Sequence, residues 1–283
     1  MKYTKTQIQD FDNEDQFMDA YVELLKQTIL LITQVTKLRY FHKDGSPKQL
    51  NRDEAVIGGN MIRLIKLNTS LLQNICDKKL EICYIINRCL IETAVNVKFI
   101  LTKGEVSVIK NYIKYSLITE KEAMDVISSN IDNRAGDILP IEERMKKSIQ
   151  SSFEKSDFDF DEVKKSSKWK SFKDRVKVIE SNTFYTFNYG ISSHAVHGNW
   201  QDILSNNLIR NNEFFELNLH WKRPKPQIMD AAIHLNIEII EIFATKELEE
   251  YKDSIINQCK ALTYYYAILL ESSENYINKT LSK

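Results

Sequence analysis

The sequence predicts an all-α protein, a single large helical bundle with long N-terminal, central and C-terminal helices. Three observations carry this. Glycine (7) and proline (4) are scarce among 283 residues, apolar residues reach 43%, and apolar positions recur at threes and fours along much of the chain. Scarce glycine matters because tight hairpins rely on it for positive φ. A chain so poor in Gly and Pro turns few short strands, so long helices with economical turns are the alternative. The apolar fraction is ample for a sizeable core and argues against disorder. The length sits near the upper limit for one core, and without a low-complexity linker or fixed-period repeat a single domain over 1–283 is expected.

Phe17, Tyr21, Leu24, Thr28, Leu31, Val35 and Leu38 form the stripe of the first long amphipathic helix, which breaks near Gly45 and Pro47. A second helix fills Asp53 to Ile75, where Gly58 and Gly59 either weaken its start or allow close packing. A third runs from about Lys78 to Leu101 and is apolar nearly all round, the mark of a central, buried helix. Gly104 closes it as a C-cap would. From Glu105 to Glu180 the chain is more polar, and shorter helices are expected, with a fresh start at Pro140 as the first helical residue. A helix near Thr183 to Val196 ends at Gly198, and Pro224 and Pro226 force a break before two C-terminal helices. No segment reads as a convincing strand.

The 39 basic residues cancel the 39 acidic ones, so no global charge draws the chain to nucleic acid or an anionic membrane. Cys76, Cys83, Cys89 and Cys259 lack paired metal-ligand spacing, and three of them lie among apolar helical residues, which reads as small buried thiols in a reducing compartment. The N-terminus lacks the apolar core of a signal peptide. The most apolar stretch, Ile82 to Leu101, contains Asn87, Arg88, Glu92, Asn96 and Lys98, each costly in hydrocarbon. A cytoplasmic protein without a membrane partner is expected.

Two constellations could carry chemistry. Arg88 and Glu92 stand four apart on that apolar helix, within salt-bridge reach, and form either a structural ion pair or the wall of a polar pocket. His194 and His197 stand three apart, with Ser193 just upstream, and histidine suits proton transfer near neutrality. The bland alternative is one histidine at a helix end and the other on the surface. A metal centre needs three or four ligands. His234 and Glu238 could add to the two histidines, yet nothing in the sequence demands it, so neither metal nor cofactor is expected. Between Lys164 and Lys177 seven basic residues, among them Lys168 and Lys170, interleave with Trp169 and Phe172. That composition suits RNA, but Trp169, Phe172, Val176 and Ile179 also make a buried stripe under a solvated basic face.

The R-x-x-x-E helix at Arg88 and Glu92, the Glu143-Arg144 pair and the late S-x-x-V-H-G motif (Ser193 to Gly198) resemble an uncharacterised all-helical bacterial family, over roughly residues 55 to 245. That family is similar in general look to the HEPN superfamily of helical bundles, many of which are metal-independent RNases of bacterial toxin–antitoxin and anti-phage systems, often dimers. The resemblance implies a catalytic group of Arg88, Glu92, His194 and His197. A histidine would act as acid or base, with Arg88 holding the phosphate. Ser193, Asn188, Lys168, Trp169 and Lys170 would bind substrate. The HEPN signature sets an arginine shortly before a histidine on one helix. Here Asn188 is the nearest polar residue in that place, and Arg88 would arrive from another helix. The expected partner is RNA, with a protein partner or a second copy as the alternative. The competing readings are a non-catalytic interaction module (sensor, scaffold or antitoxin-like partner) and a nucleotide or small-molecule binding bundle.

Overall fold

A short helix, α1 (Lys5–Gln9), begins with a capping box in which Thr4 and Gln7 bond each other's backbone amides. Asn13 then starts α2 (Glu14–Tyr40), its side chain accepting from the Gln16 N–H at 3.1 Å and satisfying an amide that a helix start leaves bare. The computed structural model describes residues 2–163, 169–180, 184 and 189–281. Its further elements are α3 (Arg52–Cys76), α4 (Leu80–Lys103), α5 (Val106–Asn133), α6 (Pro140–Ser156), α7 (Phe172–Ile179), α8 (Gly190–His197), α9 (Trp200–Asp202), β1 (Leu208–Asn211), β2 (Phe214–Leu217), α10 (Asp230–Glu247) and α11 (Lys252–Leu281). Among the described residues the chain is all-α apart from one hairpin and an isolated bridge between Phe41 and Pro47, and no helix is long and apolar enough to cross a membrane.

Where the sequence suggests one domain, the contacts group into two compact units: residues 1–50, 57–102 and 172–283, and residues 51–56 and 103–171. The shift to a more polar chain at Glu105 is the trace of this division in the sequence. In the first unit, α10 packs against α2 and α11. Leu24, Leu64, Leu90, Val95, Ile240, Phe243 and Leu269 belong to one continuous core. The apolar, all-round pattern of α4 is explained by burial on most sides. Asn68 on α3 and Asn236 on α10, both fully buried, exchange two side-chain hydrogen bonds at 3.1 and 2.8 Å. Each amide thereby offsets the cost of burying the other. Gly58 settles the question of close packing, because a Cβ there would meet the Tyr40 ring at 3.3 Å, whereas one at Gly59 would meet nothing within 4 Å.

The second unit is built on α5 and α6. α5 has 28 residues, longer than the short helices its polar sequence suggests. Its buried face is thin (Ile109, Ile113, Leu117, Ile127 and Ile131), so the apolar stripe that marks a long helix is faint here. Pro140 is the first residue of α6, as expected.

The hairpin corrects the expectation of no strand. β1 and β2 pair antiparallel with Leu208 opposite Leu217 and Asn211 opposite Phe214. Asn212 makes the turn at φ 54°, the left-handed region that asparagine tolerates without glycine. The cysteines also differ from a uniform reading: Cys83 and Cys259 are buried, Cys89 is half-buried and Cys76 is exposed, all as free thiols. Burial pushes the Cys83 and Cys259 thiols up to about 12, which keeps them unreactive.

Candidate functional site

Arg88 lies on the buried helix α4 with its side chain 14% exposed. Its Nε donates to Glu92 at 2.9 Å, and its Nη2 donates to the Tyr189 hydroxyl. That hydroxyl donates to Glu92 at 2.8 Å, closing a triangle. The guanidinium also lies over the Tyr189 ring at 3.5 Å, and the same ring stacks on Phe172 at 4.1 Å. Arg88 is therefore held by a carboxylate, a hydroxyl and an aromatic face. Both sequence readings agree on the pairing, and Tyr189 is the member that spacing could not supply. Among the described residues no hydrogen bond or ion pair joins Arg88 to His194 or His197.

The two histidines follow different paths from the same helix. His197 ends α8 in an exposed position before Gly198, which takes the left-handed conformation at φ 54°. His194 is half-buried and lines a cleft of about 990 Å³ in the first unit. Asn199 orients its ring. The Asn199 Oδ1 accepts from the Asp202 N–H at 3.2 Å, so Nδ2 is the atom facing His194 Nδ1 at 2.5 Å. An amide nitrogen can only donate, which makes Nδ1 the acceptor and leaves the imidazole proton on Nε2.

The rest of the cleft comes from the N-terminal part of α4 (Leu80, Tyr84, Asn87), from Asp202 to Asn206, and from the segment ahead of α10, where Lys222, Arg223, Lys225 and Asp230 line it. The Leu80 N–H donates to the Lys222 carbonyl at 3.0 Å, tying that segment to the start of α4. Arg223 is engaged by Asp15. Asp230 is the first residue of α10 and accepts from the Tyr266 hydroxyl at 3.1 Å. Burial pushes its carboxyl up to about 6, against the pull of that hydrogen bond. Ser193, the remaining serine of the motif, is half-buried on α8 and does not line the cleft, while its neighbour Ser192 does.

A second polar cluster lies at the margin of the core of the same unit. Lys98 on α4, only 8% exposed, donates to Glu180 and, at 2.7 Å, to Glu238 of α10. His234 Nε2 sits 3.2 Å from Glu238 and 3.7 Å from Glu180. Burial alone would push Glu180 up, but His234 and Lys98 outweigh it and hold the carboxyl low. The Glu180 carboxylate in turn raises His234. Glu180, His234 and Glu238 stand close enough together to hold a metal ion. The Lys98 ammonium already supplies their positive charge, and a divalent cation would have to displace it against like-charge repulsion. The set fits a structural ion cluster better than a metal centre.

Of the residues expected to bind substrate, Lys168 and Asn188 lie outside the described residues. Trp169 and Lys170 belong to the second unit, where Trp169 is 8% exposed and packs edge-on against Tyr112 at 5.2 Å. α7 starts only at Phe172, so the stripe read through Trp169 to Ile179 is split: Trp169 is buried in one unit and Val176 in the core of the other. A tryptophan so placed has no face to offer a base. Lys170 is exposed. Sequence reasoning missed Lys222, Lys225 and Asp230, which it read only as a break and a helix start. Chemistry-bearing residues beside two prolines were the available signal.

A family profile matches residues 54–215, more than half of the chain, and that family is described as one of unknown function. No curated protein and no solved structure matches.

Proposed function

The chain belongs to the DUF5677 family of unknown function, and from its own geometry we propose that the cleft of the first unit binds a phosphate-bearing ligand of nucleotide size. One observation carries the reading: His194, Lys222 and Lys225 line a single cleft of about 990 Å³ together with the aromatic Tyr84 and the apolar Leu80 and Ile228. That volume lies at the upper end of the ~300–1,000 Å³ typical of small-molecule sites. Two ammonium groups and an Nε2–H are donors matched to phosphate oxygens, and the apolar wall suits a base. Asp202 and Asp230 accept from ligand N–H or hydroxyl groups. The binding would take place in the cytoplasm.

A second reading, metal-independent RNA cleavage in a bacterial defence system, is what the HEPN resemblance implies. It is favoured by His194 and Asp230 lining one cleft, because a histidine and a carboxyl raised to about 6 are an acid–base pair suited to neutral pH. In this version Lys222 or Lys225, rather than the engaged Arg88, holds the phosphate.

Calorimetric titration with ATP, GTP, UMP and inorganic phosphate tests the first reading. Micromolar binding of one nucleotide is expected, weakened at least tenfold by Lys222→Ala with Lys225→Ala. Absence of binding across the panel overturns it. Incubating labelled RNA with the protein in EDTA, beside His194→Ala, tests the second. Cleavage lost in the variant supports it, and intact RNA sinks it.

A further inference from the structure

The hairpin carries a pattern that its own fold leaves unused. Residues 215–221 read Phe-Glu-Leu-Asn-Leu-His-Trp, a strict alternation of apolar and polar side chains over seven positions. Such alternation is written for a strand with one covered face. Yet β2 ends at Leu217, and Leu217, Leu219 and Trp221 are 81%, 91% and 54% exposed. A two-stranded hairpin is marginal in water without a further strand or a covering layer.

The hydrogen bonds tell which edge is open. The Asn218 N–H donates to the Asn207 carbonyl at 2.8 Å, continuing the β1–β2 ladder by one residue. Antiparallel strands alternate the direction of their amides. Residues 214, 216 and 218 therefore point their backbone groups at β1, and 215 and 217 point theirs to the opposite edge, which has no strand on it among the described residues. Beyond Asn218 the chain leaves the strand and bends at His220, and straightening it would bring 219 and 221 into the same line. The His220 N–H is taken by the Asn218 side chain at 3.1 Å and does not compete for that edge.

We propose that a second copy of this chain occupies the edge, pairing residues 215–221 antiparallel with their own counterparts about a two-fold axis at Asn218, the bend at His220 straightening as the copies pair. Oligomers favour two-fold, self-complementary contacts, and this register is self-complementary at every position. Leu217 falls opposite Leu219, and Phe215 opposite Trp221, all on one face. Glu216 falls opposite His220 on the other face, so the polar pair is carboxylate with imidazole rather than like with like. Phe215 already packs against Trp200 at 5.8 Å, which gives the apolar face a floor. The result is a four-stranded sheet in the order β1–β2–β2–β1, with its open edge closed. The inference is independent of the ligand proposed for the cleft.

Light scattering on the full chain gives the first readout, with a mass of about twice 33.1 kDa expected at tens of micromolar. Leu217→Lys with Leu219→Lys should return the monomer while circular dichroism keeps the helical signal. Register is read by cross-linking in a Cys76→Ser background. Asn218→Cys should form a disulfide-linked dimer under mild oxidation, because each copy of that residue faces itself. Glu216→Cys and His220→Cys, each facing the other position, should not. A monomer at all concentrations, a dimer that survives the double lysine variant, or equal cross-linking at all three positions would each overturn the proposal.

Discussion

Lys98 reaches Glu238 at 2.7 Å at the margin of the core, from a helix whose neighbouring residues are almost all apolar. Two carboxylates and a histidine gather around one ammonium group that is itself 8% exposed, while Glu238 and His234 keep a third or more of their side chains in solvent. Lys98→Met removes the cation and leaves Glu180 and Glu238 repelling each other. We expect a loss of about 1–3 kcal/mol, less than the ~3–5 kcal/mol of a fully buried pair because solvent screens Glu238 and His234. Glu238→Gln added to Lys98→Met should recover part of it. Urea denaturation of the two variants checks this, and equal stability of wild type and Lys98→Met would show that solvent screens the carboxylates without help from the ammonium group.

Asp230 makes stability depend on pH in the direction opposite to most carboxylates. Its folded value is about 6 and its ordinary value 3.8, so the folded chain holds the proton more tightly than the unfolded one. The contribution is fully present below pH ~4 and is lost as the pH rises through 6. The loss is on the order of 3 kcal/mol. Asp230→Asn keeps an acceptor for the Tyr266 hydroxyl and removes the titration. Stability of wild type relative to this variant should therefore fall between pH 4 and 7. Denaturation curves at pH 4.5, 6 and 7.5 decide it: a flat difference would mean that the carboxyl is not desolvated.

Much of this architecture was legible in the sequence because it is local. The stripes of α2 and α4, the break at Gly45 and Pro47, the start at Pro140 and the pairing of Arg88 with Glu92 all follow from spacing within a turn or two. What escaped depends on residues far apart. Tyr189 reaches Arg88 across 101 positions and Glu180 reaches Lys98 across 82, and no periodicity encodes either. The hairpin escaped for another reason, since an Asn at positive φ did the work expected of glycine. The basic run misled through Trp169, whose three-four spacing with Phe172 and Val176 looked like one helix face although the helix begins after it.

Arg88 separates scaffold from cleft. Its Nε and Nη2 are bound to Glu92 and Tyr189, its Nη1 is buried without a partner among the described residues, and it does not line the cleft. Arg88→Met should cost about 1–3 kcal/mol by removing the charged donor to Glu92 and to the Tyr189 hydroxyl, and Glu92 would keep only its bond from that hydroxyl. If the cleft binds the proposed nucleotide, its affinity should change less than twofold. A melting curve and a titration on the same sample give both numbers. A large affinity loss with unchanged stability would move Arg88 into the binding site.

Gly58 and Gly59 stand side by side on α3 and should respond in opposite ways to the same substitution. Both sit inside a helix without positive φ, where glycine costs roughly 0.5–1 kcal/mol relative to alanine. At Gly59 nothing lies within 4 Å of the added methyl, so Gly59→Ala should recover that amount in full. At Gly58 the methyl meets the Tyr40 ring at 3.3 Å, and that ring is itself buried and packed 6.0 Å from Phe243. A ring with core on its far side yields little, so crowding should offset the backbone gain and leave Gly58→Ala neutral or destabilising. Thermal melts of the two variants are the check. Equal stabilisation by both would mean that α2 and α3 are free to separate by a few tenths of an ångström, and that Gly58 is not what sets their approach.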